Sequence, residues 1–387
     1  MANYDFNRRI DRKGTRAFKY DFLQQRYGRS DLTPMWVADM EFETPDFILE
    51  ALQKRLDHPV YGYTVLPKGY FSAIARWVES HHGWPVDTAW ISFIPGVVRG
   101  VASVINCLTA PGDKIIIQPP VYHPFKNAII GNGRQVVCNP LREMPDHRYE
   151  MDFDQLESVI DGDCKLLILS NPHNPAGIVW DAATLRRLAE ICHRHGILVI
   201  SDEIHCDLAL WGNRHIPFAT VSKEAAEISI TFGAPTKTFN FAGLVSSFAI
   251  VSDDALRQRF YTWLAANEYN EPDIFGPIAT MAAFTEGEPW RRELIAYIED
   301  NIRYVEDYCR KHLPGITAWR PQASFLVWLD CRGLGLSHAG LIDLFVNRAR
   351  LALNDGAMFG REGSGFMRLN VGCPRSLLAE ALDQLHQ

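Results

Sequence analysis

No apolar run in this 387-residue chain reaches the roughly 18 residues of a membrane-spanning helix, so no membrane span is expected. The opening Met-Ala-Asn-Tyr-Asp-Phe-Asn-Arg-Arg-Ile lacks the apolar core of a secretory signal. The eight cysteines are scattered and form no Cys-x-x-Cys pair. Without a secretion signal they read as reduced, small hydrophobic side chains rather than a disulfide framework. His193 and His195 lie at a poor spacing for one helical face, so no metal site is expected. Long basic runs are missing as well. With 46 acidic against 39 basic residues the net charge is −7, which disfavours nucleic acid or an anionic membrane as a partner. Low-complexity tracts and internal repeats are also absent. What remains is the profile of a soluble cytoplasmic protein, too long for one simple core and suited to two domains.

From about residue 90 to 255, short runs rich in Ile, Val and Leu alternate with amphipathic stretches. Residues 91–94, 114–118, 135–138, 166–169, 197–201, 228–232 and 247–251 read as buried strands, and 182–195 as a helix. The alternation predicts an α/β fold: a mostly parallel mixed sheet covered by helices on both faces. Further on, 316–320, 324–329 and 366–371 read as strands. Residues 337–348 and a segment from Pro374 read as helices, which together make a smaller α+β domain. A long helix over 293–312 joins the two. The first 45 residues carry little periodicity. The expected division is an N-terminal segment, 1–48, packing with the small domain; a large domain, 49–285; and a small C-terminal domain, 286–387.

Three motifs carry chemistry. Lys237, in Thr236-Lys237-Thr238-Phe239-Asn240, follows one predicted strand, and Asn171-Pro172-His173-Asn174-Pro175-Ala176-Gly177 follows another. Ser201-Asp202-Glu203-Ile204-His205 ends a third. Singly these are a solvated lysine, a common turn and a strand-end loop. About 30 residues, the length of one βα unit, separate Asn174 from Asp202 and Asp202 from Lys237, so all three side chains can reach one edge of a sheet. That set points to a pyridoxal phosphate (PLP) site, where electrons are drawn from the α-carbon of an amino acid. Such chemistry needs a lysine to hold the cofactor and move the α-proton, here Lys237. It needs a buried carboxylate to keep the ring nitrogen protonated, here Asp202, and a donor to the ring oxygen, here Asn174. His205 either supports the cofactor ring or is a satisfied strand-end histidine. Gly96-Val97-Val98, between a strand and a helix, offers backbone N–H groups to a phosphate, and Thr236 adds a hydroxyl. Tyr122, just past a strand, is placed to stack on the ring. Arg368 lies inside an apolar strand, where a charge is costly unless met. It either grips a substrate carboxylate or forms an internal salt bridge.

On these motifs the chain resembles the fold-type I PLP enzymes, the aminotransferase class I/II superfamily, over nearly its whole length. Within that group Met35-Trp36-Val37-Ala38-Asp39-Met40-Glu41-Phe42, Val60-Tyr61-Gly62-Tyr63 and Arg368-Leu369-Asn370-Val371-Gly372-Cys373-Pro374-Arg375 are similar to the MalY/PatB-type C–S lyases, also called cystathionine β-lyases. The Ser201–His205 and Lys237–Asn240 motifs agree. The resemblance implies the fold-type I transferase fold and a homodimer with the active site at the interface. It also implies a tyrosine from the neighbouring subunit on the phosphate, with Tyr63 the best match and Tyr61 the second. Trp36, Ala38 and Asp39 are implied to close over the substrate. Many aminotransferases carry a phosphate-binding serine and arginine where this chain has Ala234 and Val245, and their loss favours the lyase branch. The implied activity is β-elimination on cystathionine or another S-substituted L-cysteine, giving a thiol, pyruvate and ammonia. Lys237 would be the base, with Tyr63 or a water protonating the leaving thiolate. The alternative is an aminotransferase using the same residues on an L-amino acid and a 2-oxo acid.

Overall fold

Seven strands form the large sheet, in the spatial order Ile91–Ile94, Ser247–Ile250, Ser229–Gly233, Leu198–Asp202, Cys164–Ser170, Lys114–Ile117, Gln135–Cys138. This is a computed structural model, and it describes residues 4–387. Ser247–Ile250 runs antiparallel to both neighbours, and the remaining pairs are parallel. The seven strands coincide with the seven apolar runs to within a residue or two at each end. Central strands such as Leu198–Asp202 carry Val199, Ile200 and Ser201 buried together. A sheet covered on both faces demands such continuous apolar runs, and each fully buried aliphatic side chain contributes about 1.5–3 kcal/mol.

The covering helices follow from pattern and capping. In Ala182–Arg194 the apolar positions Leu185, Leu188, Ala189 and Cys192 fall on one buried face, and the Asp181 carboxylate accepts the free N–H groups of Ala183 and Thr184. A cap of this kind is worth about 1 kcal/mol. The long helix spans Glu288–His312 and starts earlier than the apolar pattern implied, because Pro289 falls in its first turn. Gly-Glu-Pro reads as a turn in sequence, yet proline there removes an N–H that has no helical partner anyway. Trp290, Leu294, Ile298, Ile302 and Val305 bury one stripe of this helix.

A second, antiparallel sheet orders Thr317–Trp319, Leu326–Asp330, Phe366–Asn370 and Asn354–Asp355. Arg368 sits opposite Trp328 on one side and Asn354 on the other. From the long helix Asn301 donates to the Val371 and Cys373 carbonyls and accepts from Arg375 Nε. That is the structural work of the Gly-Cys-Pro-Arg ending. Residues 337–348 form a short α-helix, His338–Asp343, that continues as one π-turn, Leu344–Arg348.

The N-terminal stretch holds more structure than its periodicity revealed: two short helices, Phe18–Asp21 and Leu23–Tyr27, and a strand, Thr33–Pro34, paired in parallel with Leu351–Ala352. Both helices are too short to display a hydrophobic period. Leu23 and Tyr27 of the second pack in an apolar cluster with Leu32, Trp36, Val346 and Ala352, and the first is held by buried charge. Lys19, 1% exposed, bonds Glu41 at 2.7 Å and lies 3.6 Å from Asp39, while Arg12 bonds Asp39 at 2.7 Å and Glu41 at 2.9 Å.

Candidate active site

The parallel strands end in one row, with Ser170 beside Asp202 and Asp202 beside Phe232. The chain just beyond each of these ends turns into a common crevice, as open parallel sheets direct it. A cavity of about 260 Å³ opens there. Its walls include Lys237, Asp202, Asn174, Tyr122, His205 and Thr236. Gly96, Val97, Val98 and Ala38 complete the set of expected residues that line it.

Two glycines make the walls possible. Gly96 precedes the helix Val97–Leu108 with φ +102°, and a Cβ there would stand 3.2 Å from Val245 Cγ1. The helix N–H groups are therefore reached past a bare backbone. Gly177, at φ +66°, closes the turn that follows Asn174; a Cβ there would meet the Ala323 carbonyl at 2.6 Å.

Desolvation dominates the electrostatics. It brings the Lys237 amine from 10.5 down to about 8; Arg368 pushes in the same direction, against the attraction of Asp39 and Asp202. Lys237 Nζ donates to the Ala38 carbonyl at 2.7 Å. Burial pushes the Asp202 carboxyl up to about 7, opposed by the Ile204 N–H and by Lys237. Its neighbour Glu203 is also buried, but its oxygens are engaged by Ser201 Oγ, the Phe218 N–H and His215. Of the Asp-Glu pair, only Asp202 is left to face the cavity. His205 shares a 3.1 Å hydrogen bond with Ser324 Oγ and is held near 3 by desolvation, so it lines the cavity as a neutral ring.

Arg368 is 3% exposed. Its Nη1 donates to Asn174 Oδ1 at 2.8 Å, and its Nη2 donates to Asn354 Oδ1 at 2.6 Å and to the Trp36 carbonyl at 3.2 Å. Nε is buried with no partner. No carboxylate pairs with it among the described residues, which removes the internal salt bridge as its explanation. Burial lowers even this guanidinium to about 10. A buried cation held by neutral groups alone, with a donor unused, is built to receive an anion. The contact to Asn174 Oδ1 also orients that amide, leaving its Nδ2 donors for a ligand.

Arg368 reaches the wall only through Asn174, and three further expected residues lie elsewhere. Trp36 was expected to touch substrate, but its ring packs against Phe18 and Tyr27 and its Nε1 donates to the Lys19 carbonyl. Asp39 turns to Arg12 and Lys19, which hold its carboxyl low in spite of burial. Both sit behind the wall rather than in it: the Lys19 and Arg12 charges hold Asp39 there, and packing on Phe18 and Tyr27 with the bond to the Lys19 carbonyl holds Trp36. Tyr63 stands fully exposed on a loop with Tyr61, outside its own chain's cavity.

The segment that carries Ala38 is held from two sides. Asn240, beyond the lysine, accepts from the Met40 N–H and donates to the Met40 and Phe42 carbonyls. Asn370, on the Arg368 strand, donates to the Val37 and Asp39 carbonyls. Sequence reasoning missed Asn354 and Ser324; a lone amide and a lone hydroxyl beside apolar runs were the only signal. It also missed the approach of His82, Cys206 and Asp207 to within range of one shared ion. There Asp207 is already bonded to His82 and to Trp77 Nε1, each at 2.9 Å.

The donor set fits PLP: an amine poised near neutrality, a carboxyl that lacks a cation, a free amide donor, exposed helix N–H groups and an unpaired guanidinium. The family model for aminotransferase class I and II matches residues 32–385. The chain is 42% identical to cystathionine beta-lyase PatB of Bacillus subtilis, over 98% of each chain. To protein MalY of Escherichia coli it is 34% identical, over 98% of this chain and 97% of that one. The crystal structure of cystalysin from Treponema denticola, which contains PLP, superposes with a TM-score of 0.95 at 34% identity, covering 99% of this chain and 98% of that one.

Proposed function

The chain belongs to the aminotransferase class I and II family, and on that premise we infer that it is a PLP-dependent carbon–sulfur lyase acting on cystathionine or a related S-substituted L-cysteine. The observation that carries this reading is the enclosure of Lys237 and Asp202 in one cavity with Asn174, whose amide is held from behind by the buried Arg368, a cation with no carboxylate partner among the described residues. The lyase relatives support elimination over transamination.

When bound, PLP supplies the sink for the electron pair left on the substrate α-carbon. The chain's residues do the rest. Arg368, a buried cation with an unpartnered Nε–H, would hold the substrate carboxylate. Asp202 would stay ionised against the ring nitrogen, and Asn174 Nδ2 would donate to the ring oxygen. Tyr122 would cover one ring face, and the N–H groups at the start of Val97–Leu108 with the Thr236 hydroxyl would hold the phosphate. Lys237, once free, removes the α-proton; its amine near 8 is basic enough to do so and neutral often enough to be ready. The Cβ–S bond then breaks, and sulfur leaves with the electron pair and gains a proton. In sum, R–S–CH2–CH(NH3⁺)–COO⁻ and water give RSH, pyruvate and ammonium. We further infer a cytoplasmic homodimer in which the exposed Tyr63 of one subunit reaches the neighbour's phosphate; the run of exposed Val60, Tyr61, Tyr63 and Val65 supports it.

The deciding experiment supplies L-cystathionine or an S-alkyl cysteine with no 2-oxo acid. Sustained, equimolar release of pyruvate and thiol over many turnovers is expected. Amino transfer that starts only when a 2-oxo acid is added would make the chain an aminotransferase instead.

The depressed lysine gives a second expectation. Only the neutral amine attacks an aldehyde, and burial moves its midpoint from 10.5 down to about 8. Lys237 of the cofactor-free chain should therefore capture PLP faster as pH rises, about tenfold per unit below pH 8, levelling above it. Stopped-flow absorbance reads this directly. A rate still climbing steeply at pH 9.5 would mean an ordinary, hydrated lysine.

A further inference from the structure

We propose that the guanidinium of Arg99 binds the phosphate of PLP and is the cradle's fixed cation, an assignment that rests on the PLP reading above. Arg99 stands in the first turn of Val97–Leu108 and lines the same cavity as Gly96, Thr236 and Lys237. Its carbonyl accepts from Ser103 Oγ, but its side chain has no hydrogen bond or ion pair among the described residues. Two further groups that line the cavity wait for an acceptor. Thr236 and Ser247 are 6% and 3% exposed, and neither hydroxyl has a partner among the described residues although both line the cavity.

The case is one of charge balance. A phosphate monoester carries between one and a half and two negative charges near neutral pH. The helix start offers only about half a positive charge, and hydroxyls offer none. Arg368 is tied to Asn174 and Asn354, and Lys237 is committed to the cofactor's aldehyde. Val245, which faces Gly96 across the cradle, is apolar and takes φ +51°, so it forms wall without donating. Arg99 is the cation left over. Its forked donors match phosphate oxygens, and its exposed position leaves the stem free to fold inward.

The test separates phosphate from ring. Cofactor-free parent, Arg99→Ala and Arg99→Lys are titrated with PLP and with pyridoxal, which lacks the phosphate, and the absorbance of the Lys237 adduct gives Kd. Arg99→Ala should weaken PLP about 10- to 100-fold, while pyridoxal binds the variant as it binds the parent. Arg99→Lys should recover part of the loss. Equal weakening of both ligands, or of neither, overturns the assignment. So does unchanged PLP affinity with a raised KM for L-cystathionine but not for S-methyl-L-cysteine, which would put the guanidinium on the substrate's far carboxylate. A parent chain that captures neither ligand at Lys237 would instead sink the PLP reading itself.

Discussion

Lys237→Ala should release pyruvate from L-cystathionine at no more than about one part in 10⁴ of the parent rate, the upper range of what one positioned acid–base group contributes. The expectation follows from the cavity's inventory. Among the described residues Lys237 is the single amine on its wall, and the other ionisable groups there are unsuited to take a proton from carbon. Asp202 is committed to the ring nitrogen, His205 is a ring held near 3, and burial raises Tyr122 above its ordinary value. Lys237→Arg should fail as well. It keeps a cation beside the Ala38 carbonyl, yet a guanidinium gives up no proton at working pH. Near-parent elimination in Lys237→Ala, measured over many turnovers, would remove this residue from the mechanism.

Asp202→Asn should lower kcat by about 10²- to 10⁴-fold, the equivalent of the 3–5 kcal/mol lost when one partner of a buried ion pair is removed. In the chain alone, burial drives the Asp202 carboxyl up to about 7. A cation arriving within about 4–6 Å pulls such a group down by one to three units, so carboxylate and protonated ring nitrogen stabilise each other. Asparagine keeps the shape and loses that exchange. A steady-state assay paired with absorbance of the bound cofactor reads both halves of the effect. A variant within tenfold of the parent, with an unshifted spectrum, would show that the ring nitrogen is held by something else.

Much of this was legible in the sequence because burial leaves a plain record there. Continuous Ile/Val/Leu runs can only be strands covered on two faces, and the residues at their C-terminal ends meet at the edge of a parallel sheet. Lys237, Asp202, Asn174 and Tyr122 were found in that way, and all line the cavity. What stayed hidden depends on contacts across long separations. Whether Arg368 was half of a salt bridge could not be read from its strand, because Asn354, Asn174 and Trp36 reach it from three distant segments. Trp36 and Asp39 sit in the right segment, but contacts from a stretch without periodicity turn them behind the wall: the Lys19 and Arg12 charges hold Asp39, and the Lys19 carbonyl, Phe18 and Tyr27 hold Trp36. Arg99 stayed hidden too, since nothing in one dimension distinguishes a first-turn arginine that faces solvent from one that edges a cavity.

The backbone from Val37 to Phe42 acts as a gauge block. Asn240 clamps it from the side of the base, and Asn370 clamps it from the side of the carboxylate anchor. Two catalytic groups from distant parts of the chain thus take their positions from one short common reference. Any rocking of the second sheet against the first would have to break one of these two sets of hydrogen bonds, so the spacer sets a cost on changing the gap between base and anchor.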